Sequence, residues 1–193
     1  MATRTLPTSM PELRTKSITD TSVADPGPLG LAAFALTTFV LSCANAGLIA
    51  GPHIVLGLAF AYGGFVQICA GMWEFKRNNI FGATAFSSYG AFWIAFALLV
   101  TQHVTLIPEA ARGTAIGAFL LAWAIFTTYM TIGAAKVSKP LLTVFVILTV
   151  TFYVLAAGDF LGSASLHKLG GYLGIATAFA AWYVSAKGLL AAM

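Results

Sequence analysis

Thr84, Ser87, Ser88 and Tyr89 bring four hydroxyls into the stretch FGATAFSSYGAFW at 81–93, whose other residues are small or aromatic. On a helix at 100° per residue, Thr84, Ser87, Ser88, Ala91 and Ala95 gather within an arc of about 100°. Phe81, Phe86, Tyr89, Phe92 and Trp93 fill the adjacent arc, so a hydroxylic side stands next to an aromatic wall. In an apolar segment such hydroxyls have two uses. They return hydrogen bonds to their own helix carbonyls and let a neighbour pack closely, or they line a path and replace the water of a passing polar solute. Spacing alone leaves both readings open.

Further stripes carry polar groups. Phe34, Thr38, Leu41 and Asn45 stand at i, i+4, i+7 and i+11, with Ser42 beside them. Leu148, Phe152, Leu155 and Asp159 repeat that spacing, with Thr149 adjacent. Gln67 and Glu74 add a carboxamide and a carboxylate from another segment. An Asn amide facing lipid would leave its donors and acceptor unsatisfied, so Asn45 must face protein or water. Polar groups thus converge from four segments, punctuated by large apolar side chains, which is the pattern a narrow pore for small solutes requires. Asp159 is a candidate for carrying a proton, because a carboxylate within a membrane is costly and by default functional. Gly158 and Gly162 flank it, however, and the competing reading has it capping the turn before LGSAS. Glu74 is the second proton candidate.

Catalysis is not expected. His53, His103 and His167 are assigned to three separate connections, and none shares a helix with another His or a carboxylate at ligand spacing. They read as interfacial or loop residues. Cys43 and Cys69 lie in apolar runs and read as small hydrophobes. No phosphate-cradling glycine pattern occurs, and no lysine sits deep in a span, so neither metal nor cofactor is implied.

The elements that must position these groups follow from composition. Of 193 residues, 59% are hydrophobic and 8% charged, and the mean hydropathy is +0.89; soluble domains carry about 25% charged residues. A membrane-crossing helix needs about 20 apolar residues, and six such spans are predicted at 29–50, 54–72, 84–100, 114–134, 140–160 and 170–190. Residues 25–193 then form one all-α six-helix membrane bundle, and the Thr/Ser-rich 1–24 a disordered tail. Pro28 and Pro140 suit first helical turns, while Pro52 and Pro108 fall in connections. With six spans both termini share a side. That side holds Arg4, Arg14, Lys16, Lys76, Arg77, Lys136, Lys139 and Lys187; the other holds only Arg112 and Lys168. By the positive-inside rule both termini are cytoplasmic. The net charge of +4 is then topology, and nucleic acid is not an expected partner. Gly47/Gly51, Gly113/Gly117 and Gly170/Gly174 are small-xxx-small pairs that imply close helix packing, within a protomer or between protomers.

The segments DPGPLGL (25–31), YGGFVQICAGMWEF (62–75) and FGATAFSSYGAFW (81–93) closely resemble the acetate uptake transporter family, which includes the bacterial succinate–acetate permeases. The likeness runs from about residue 25 to the end. It implies six transmembrane helices, a homohexamer in the plasma membrane, and a path through each protomer for acetate and other small monocarboxylates, with succinate sometimes carried and proton coupling generally proposed. It also implies a constriction at Phe34, Tyr89 and Leu148, positions that already lie on or beside the stripes above. Thr38, Asn45, Gln67, Thr84, Ser87, Ser88 and Thr149 are then expected along the path. The opening motif, Asp25, Pro26, Gly27, Pro28, Leu29, Gly30 and Leu31, departs from the family's usual Asn-Pro-Ala-Pro-Leu-Gly-Leu at Asp25 and Gly27. Asp25 is a good N-cap, and it adds negative charge at one mouth. Two other readings stay open: a channel for ammonia or another small neutral solute, and a signalling or scaffold protein whose polar stripes only pack helices.

Overall fold

A computed structural model describes residues 23–193, apart from the side chain at position 52. The expected tail, but for its last two positions, and the basic residues Arg4, Arg14 and Lys16 lie outside the described residues. The described chain contains six helices long and apolar enough to cross a membrane: α1 Gly27–Asn45, α2 His53–Lys76, α3 Ile80–Leu106, α4 Glu109–Ala134, α5 Lys139–Leu161 and α6 Ala164–Ala191. The shortest, at 19 residues, rises roughly 29 Å, about the hydrocarbon thickness of a bilayer. Among the described residues there is no strand.

Three helices begin earlier than their apolar runs do, because polar caps start them. The Asn79 side chain accepts from the Gly82 N–H at 3.1 Å, so α3 opens at Ile80 rather than Thr84. Ser138 caps α5 through Leu141 N–H at 3.3 Å, and Ser163 caps α6 through Leu166 N–H at 3.4 Å. The fold corrects the placing of the histidines in connections: His53 opens α2 and His103 lies in the last turns of α3. His167 likewise belongs to a helix, the first turns of α6. Asp159 lies in the last turn of α5, and Ser163 is the N-cap of α6.

Glycines set the closest approaches. Gly171 brings the α6 backbone against that of α1 at Asn45 and Ala46, and Gly174 meets Ser42. Gly170 accommodates Leu155 of α5, while Gly113 and Gly117 of α4 lie against the Asp159 carbonyl and the Phe160 ring. The 113/117 and 170/174 pairs therefore pack helices within the protomer. The Gly47/Gly51 pair does not: both residues follow α1 with φ of 76° and 73°, conformations that need glycine in a turn.

α2 opens on a 3₁₀ turn at Pro52–Val55, and a π turn at Ala61–Val66 interrupts its regular helix. Gly63 admits Thr37 of α1, and Gly71 admits Ser87 of α3. The π turn ends immediately before Gln67, and Gln67, Ala70 and Glu74 then face inward. π-bulges of this kind frequently occur at functional sites. The Ser185 hydroxyl donates to the Pro28 carbonyl at 2.6 Å. The end of α6 thus lies beside the start of α1, at the same end of the bundle as the α2–α3 and α4–α5 turns. Outward, Ile125, Ile132, Val146, Val150, Phe179 and Tyr183 are exposed, the surface a bilayer covers.

Candidate functional site: two cavities that share Phe34 and Leu148

Two cavities, about 210 Å³ and about 150 Å³, open within the bundle, and Phe34 and Leu148 line both. The larger lies toward the terminal end and the smaller toward the opposite end. Tyr89 closes the larger cavity at the same level; its ring centroid is 5.8 Å from that of Phe34. All three side chains are buried.

Helical periodicity explains why single helices line both cavities. On α1, Leu31 and Phe34 face the larger cavity, and Phe34, Thr38, Leu41, Ser42 and Asn45 the smaller. On α5, Leu141, Val144, Phe145 and Leu148 are followed by Thr151, Phe152, Leu155 and Asp159. On α3, Phe81, Ala85 and Tyr89 give way to Phe92 and Trp93. The aromatic arc of 81–93, not the hydroxylic one, is the arc that faces the cavities.

Tyr89 is fixed from both sides. Its phenol oxygen is 2.9 Å from the Thr127 hydroxyl, which donates to the Trp123 carbonyl at 2.7 Å. Its ring packs against Phe126 and Phe145, with centroids 5.4 and 6.1 Å away. Thr127 was not legible as a site residue, because no spacing rule links positions on different helices.

The larger cavity carries its polar groups at the terminal end. Glu74, almost fully buried, accepts from the Asn79 side chain at 2.9 Å, and Gln67 lies deeper. Pro26, rather than Asp25, occupies the N-cap position of α1. Asp25 instead accepts from the Gly27 N–H at 3.0 Å, satisfying one of the free donors of the first turn, and forms an ion pair with Arg77. Arg77 thereby offsets the charge that Asp25 brings to this mouth. Gly27 and Leu31 line the cavity, Gly30 lies against the Phe86 ring, and Leu29 is exposed.

The smaller cavity ends at Asp159, whose Oδ1 is 3.3 Å from His167 Nε2. His167 escapes sequence reasoning because it meets Asp159 only when α6 folds back on α5. Thr38 and Asn45 also line this cavity.

Four residues expected along the path line neither cavity: Thr84, Ser87, Ser88 and Thr149. Ser87 packs against Gly71 of α2. The Thr149 hydroxyl lies 2.8 Å from that of Thr131 and 2.8 Å from the Phe145 carbonyl, tying α5 to α4. The Thr149 hydroxyl thus serves helix packing, whereas that of Ser87 is buried against Gly71 without a hydrogen-bond partner. Among the described residues no group of three or more His, Cys, Asp or Glu side chains could hold a metal ion.

A profile of the GPR1/FUN34/yaaH family matches residues 8–193. Acetate permease A of Emericella nidulans is 44% identical over 191 residues, covering 90% of this chain and 64% of that protein, so the chain spans somewhat under two thirds of that relative's length. The succinate-acetate/proton symporter SatP of Escherichia coli (strain K12) is 37% identical over 166 residues, covering 86% of this chain and 88% of the other. The solved structure of the bacterial acetate channel SatP superposes with a TM-score of 0.82 at 36% identity, covering 87% of this chain and 93% of that one.

Proposed function

The chain belongs to the GPR1/FUN34/yaaH family, and from that premise we propose that it carries acetate and similar small monocarboxylates across the membrane through a path in each protomer. It is a multi-pass membrane protein. The observation that carries the proposal is the pair of cavities meeting at Phe34 and Leu148, with Tyr89 beside them. Short acids pass this collar and bulkier ones are held back, because a dry apolar constriction selects by size and by the cost of shedding water. Polar groups without mid-span Lys or Arg bind an anion weakly enough to release it. Thr38, Asn45 and Gln67 offer such groups on either side of the collar, while Asp159 and Glu74 are the carboxylates available for proton coupling. Succinate is a further substrate. The working assembly is a homohexamer in the plasma membrane, with both termini cytoplasmic.

Purified protein in vesicles provides the test. Labelled acetate should enter vesicles holding this protein and not empty ones, and an inward-acid pH gradient should accelerate entry if protons are coupled. Uptake unaffected by the gradient beyond its effect on free acid would make the path a channel. Ammonia efflux without acetate flux would favour the neutral-solute reading, and no flux of either the scaffold reading.

A further inference from the structure

We propose that the groove between α5 and α6 at the terminal end of the bundle is a binding site for one anionic phospholipid. Its phosphate sits at the Lys139 ammonium and the Tyr183 phenol, and an acyl chain lies along the two helices. The site is separate from the two cavities and does not depend on the transport reading.

The groove holds about 320 Å³ and is lined by Lys139, Pro140 and Thr143 of α5 and by Ala180 and Tyr183 of α6. Pro140 and Ala180 are short and half-buried, so they leave a depression; Lys139, Thr143 and Tyr183 are exposed around it. Ser185, two residues beyond Tyr183, donates to the Pro28 carbonyl in the first turn of α1. Tyr183 therefore stands near the level where the helices leave the membrane. Toward the middle of the bundle the same faces stay apolar. Val146 and Val150 stand at i+3 and i+7 from Thr143 on α5, Phe179 stands one turn before Tyr183 on α6, and all three are exposed. From Lys139 to Val150 the helix rises roughly 16 Å, which matches one leaflet's half of a ~30 Å hydrocarbon core.

Charge selects the headgroup. Lys139 lines the groove, Lys187 follows Tyr183 by one turn on α6, and Lys136 lies in the turn just before α5; all three are exposed. Among the described residues the carboxylates at this end are Asp25, which pairs with Arg77, and Glu74, which is buried in the larger cavity. Neither lines the groove. Thr143 returns its hydroxyl to the Lys139 carbonyl at 3.1 Å, so the donors left for a ligand are the Lys139 ammonium and the Tyr183 phenol. An ammonium only donates and a phenol can donate, which suits the acceptor oxygens of a phosphate. A choline or ethanolamine cation beside that phosphate would meet the lysines with like charge. The preferred lipid is therefore one whose headgroup carries a net negative charge, such as phosphatidylglycerol. Basic pockets between transmembrane helices recognise headgroups of this kind, and tyrosine suits the same interfacial depth.

The test adds palmitoyl-oleoyl phosphatidylglycerol or phosphatidylcholine to the purified full chain in a neutral detergent, read by native mass spectrometry and thermal melting. The wild-type protein should retain phosphatidylglycerol in preference to phosphatidylcholine. Its melting temperature should rise with the former only, because a ligand that binds only the folded state stabilises it. Lys139→Gln should lower phosphatidylglycerol retention about fivefold, the worth of one lysine at an anionic membrane surface. Ala180→Leu, which fills the groove, should lower it at least as much. Lys76→Gln removes an exposed lysine at the same end but outside the groove, and should behave as wild type. Glycerol phosphate, the headgroup without its chains, should leave the melting temperature unchanged. Equal retention of the two lipids, or undiminished retention in Lys139→Gln, overturns the proposal. A rise with glycerol phosphate equal to that with phosphatidylglycerol overturns it in favour of a free-anion site. A smaller assembly in Ala180→Leu with lipid retention unchanged overturns it in favour of a contact between copies of this chain. If Ala180→Leu fails to accumulate, Lys139→Gln decides.

Discussion

Tyr89 reaches its place through contacts from three other helices: Phe34 of α1, Thr127 of α4 and Phe145 of α5. Removing the ring in Tyr89→Ala should merge the cavities and admit larger acids, so discrimination between acetate and butyrate uptake falls. A parallel drop in both, matching protein abundance, would make Tyr89 a packing residue only. Thr127→Val keeps the ring and strands the phenol, which costs about 1–3 kcal/mol. It should lower the melting temperature and relax discrimination less than Tyr89→Ala does. A second residue-scale prediction concerns Asp159. Asp159→Asn keeps the shape and loses the titrating group beside His167, so the pH dependence of acetate uptake should flatten in a normally expressed protein. An unchanged profile would remove Asp159 from coupling and turn attention to Glu74.

Helix contacts in this bundle depend on what glycine lacks. A side chain at Gly171 would meet the backbone of Asn45 and Ala46, which cannot step aside as a flexible side chain would. Gly171→Val should therefore cost about 1–3 kcal/mol or more through overpacking, seen as a lower melting temperature or loss of protein from the membrane. Gly57 gives the opposite expectation. It sits in α2 with open space around its would-be Cβ, so Gly57→Ala should be neutral or stabilise by about 0.5–1 kcal/mol through helix propensity. Thermal melting of the purified variants checks both signs. A tolerated Gly171→Val would mean that α1 and α6 can separate without harm.

At the scale of the whole molecule, the basic residues divide by end. Among the described residues Lys76, Arg77, Lys136, Lys139 and Lys187 lie at the terminal end, and Arg112 and Lys168 at the other. If the terminal end is cytoplasmic, a reporter fused after Met193 should be active in its cytoplasm-dependent form and silent in its export-dependent form. The reverse pattern would overturn this orientation. Under the proposed orientation the Asp159 and His167 end would face outward and the Glu74 and Asp25 end inward.

The number of helices and their approximate spans were legible without the fold, because the length of an apolar run measured against the bilayer is a local property. The lining stripes of α1 and α5 were legible for a similar reason: residues at i, i+4, i+7 and i+11 share a face wherever the helix lies. The rotation of α3 was not. In water an apolar stripe marks the buried side, but lipid is as apolar as the bundle interior, so hydropathy says little about which arc turns inward. The neighbours decided it: Gly71 took Ser87, Thr127 took the Tyr89 phenol, and the aromatic arc faced the cavities. The meeting of Asp159 with His167, and the burial of Trp93 and Thr38 without partners, likewise exist only once separate helices pack, because each depends on atoms that the chain brings together across turns.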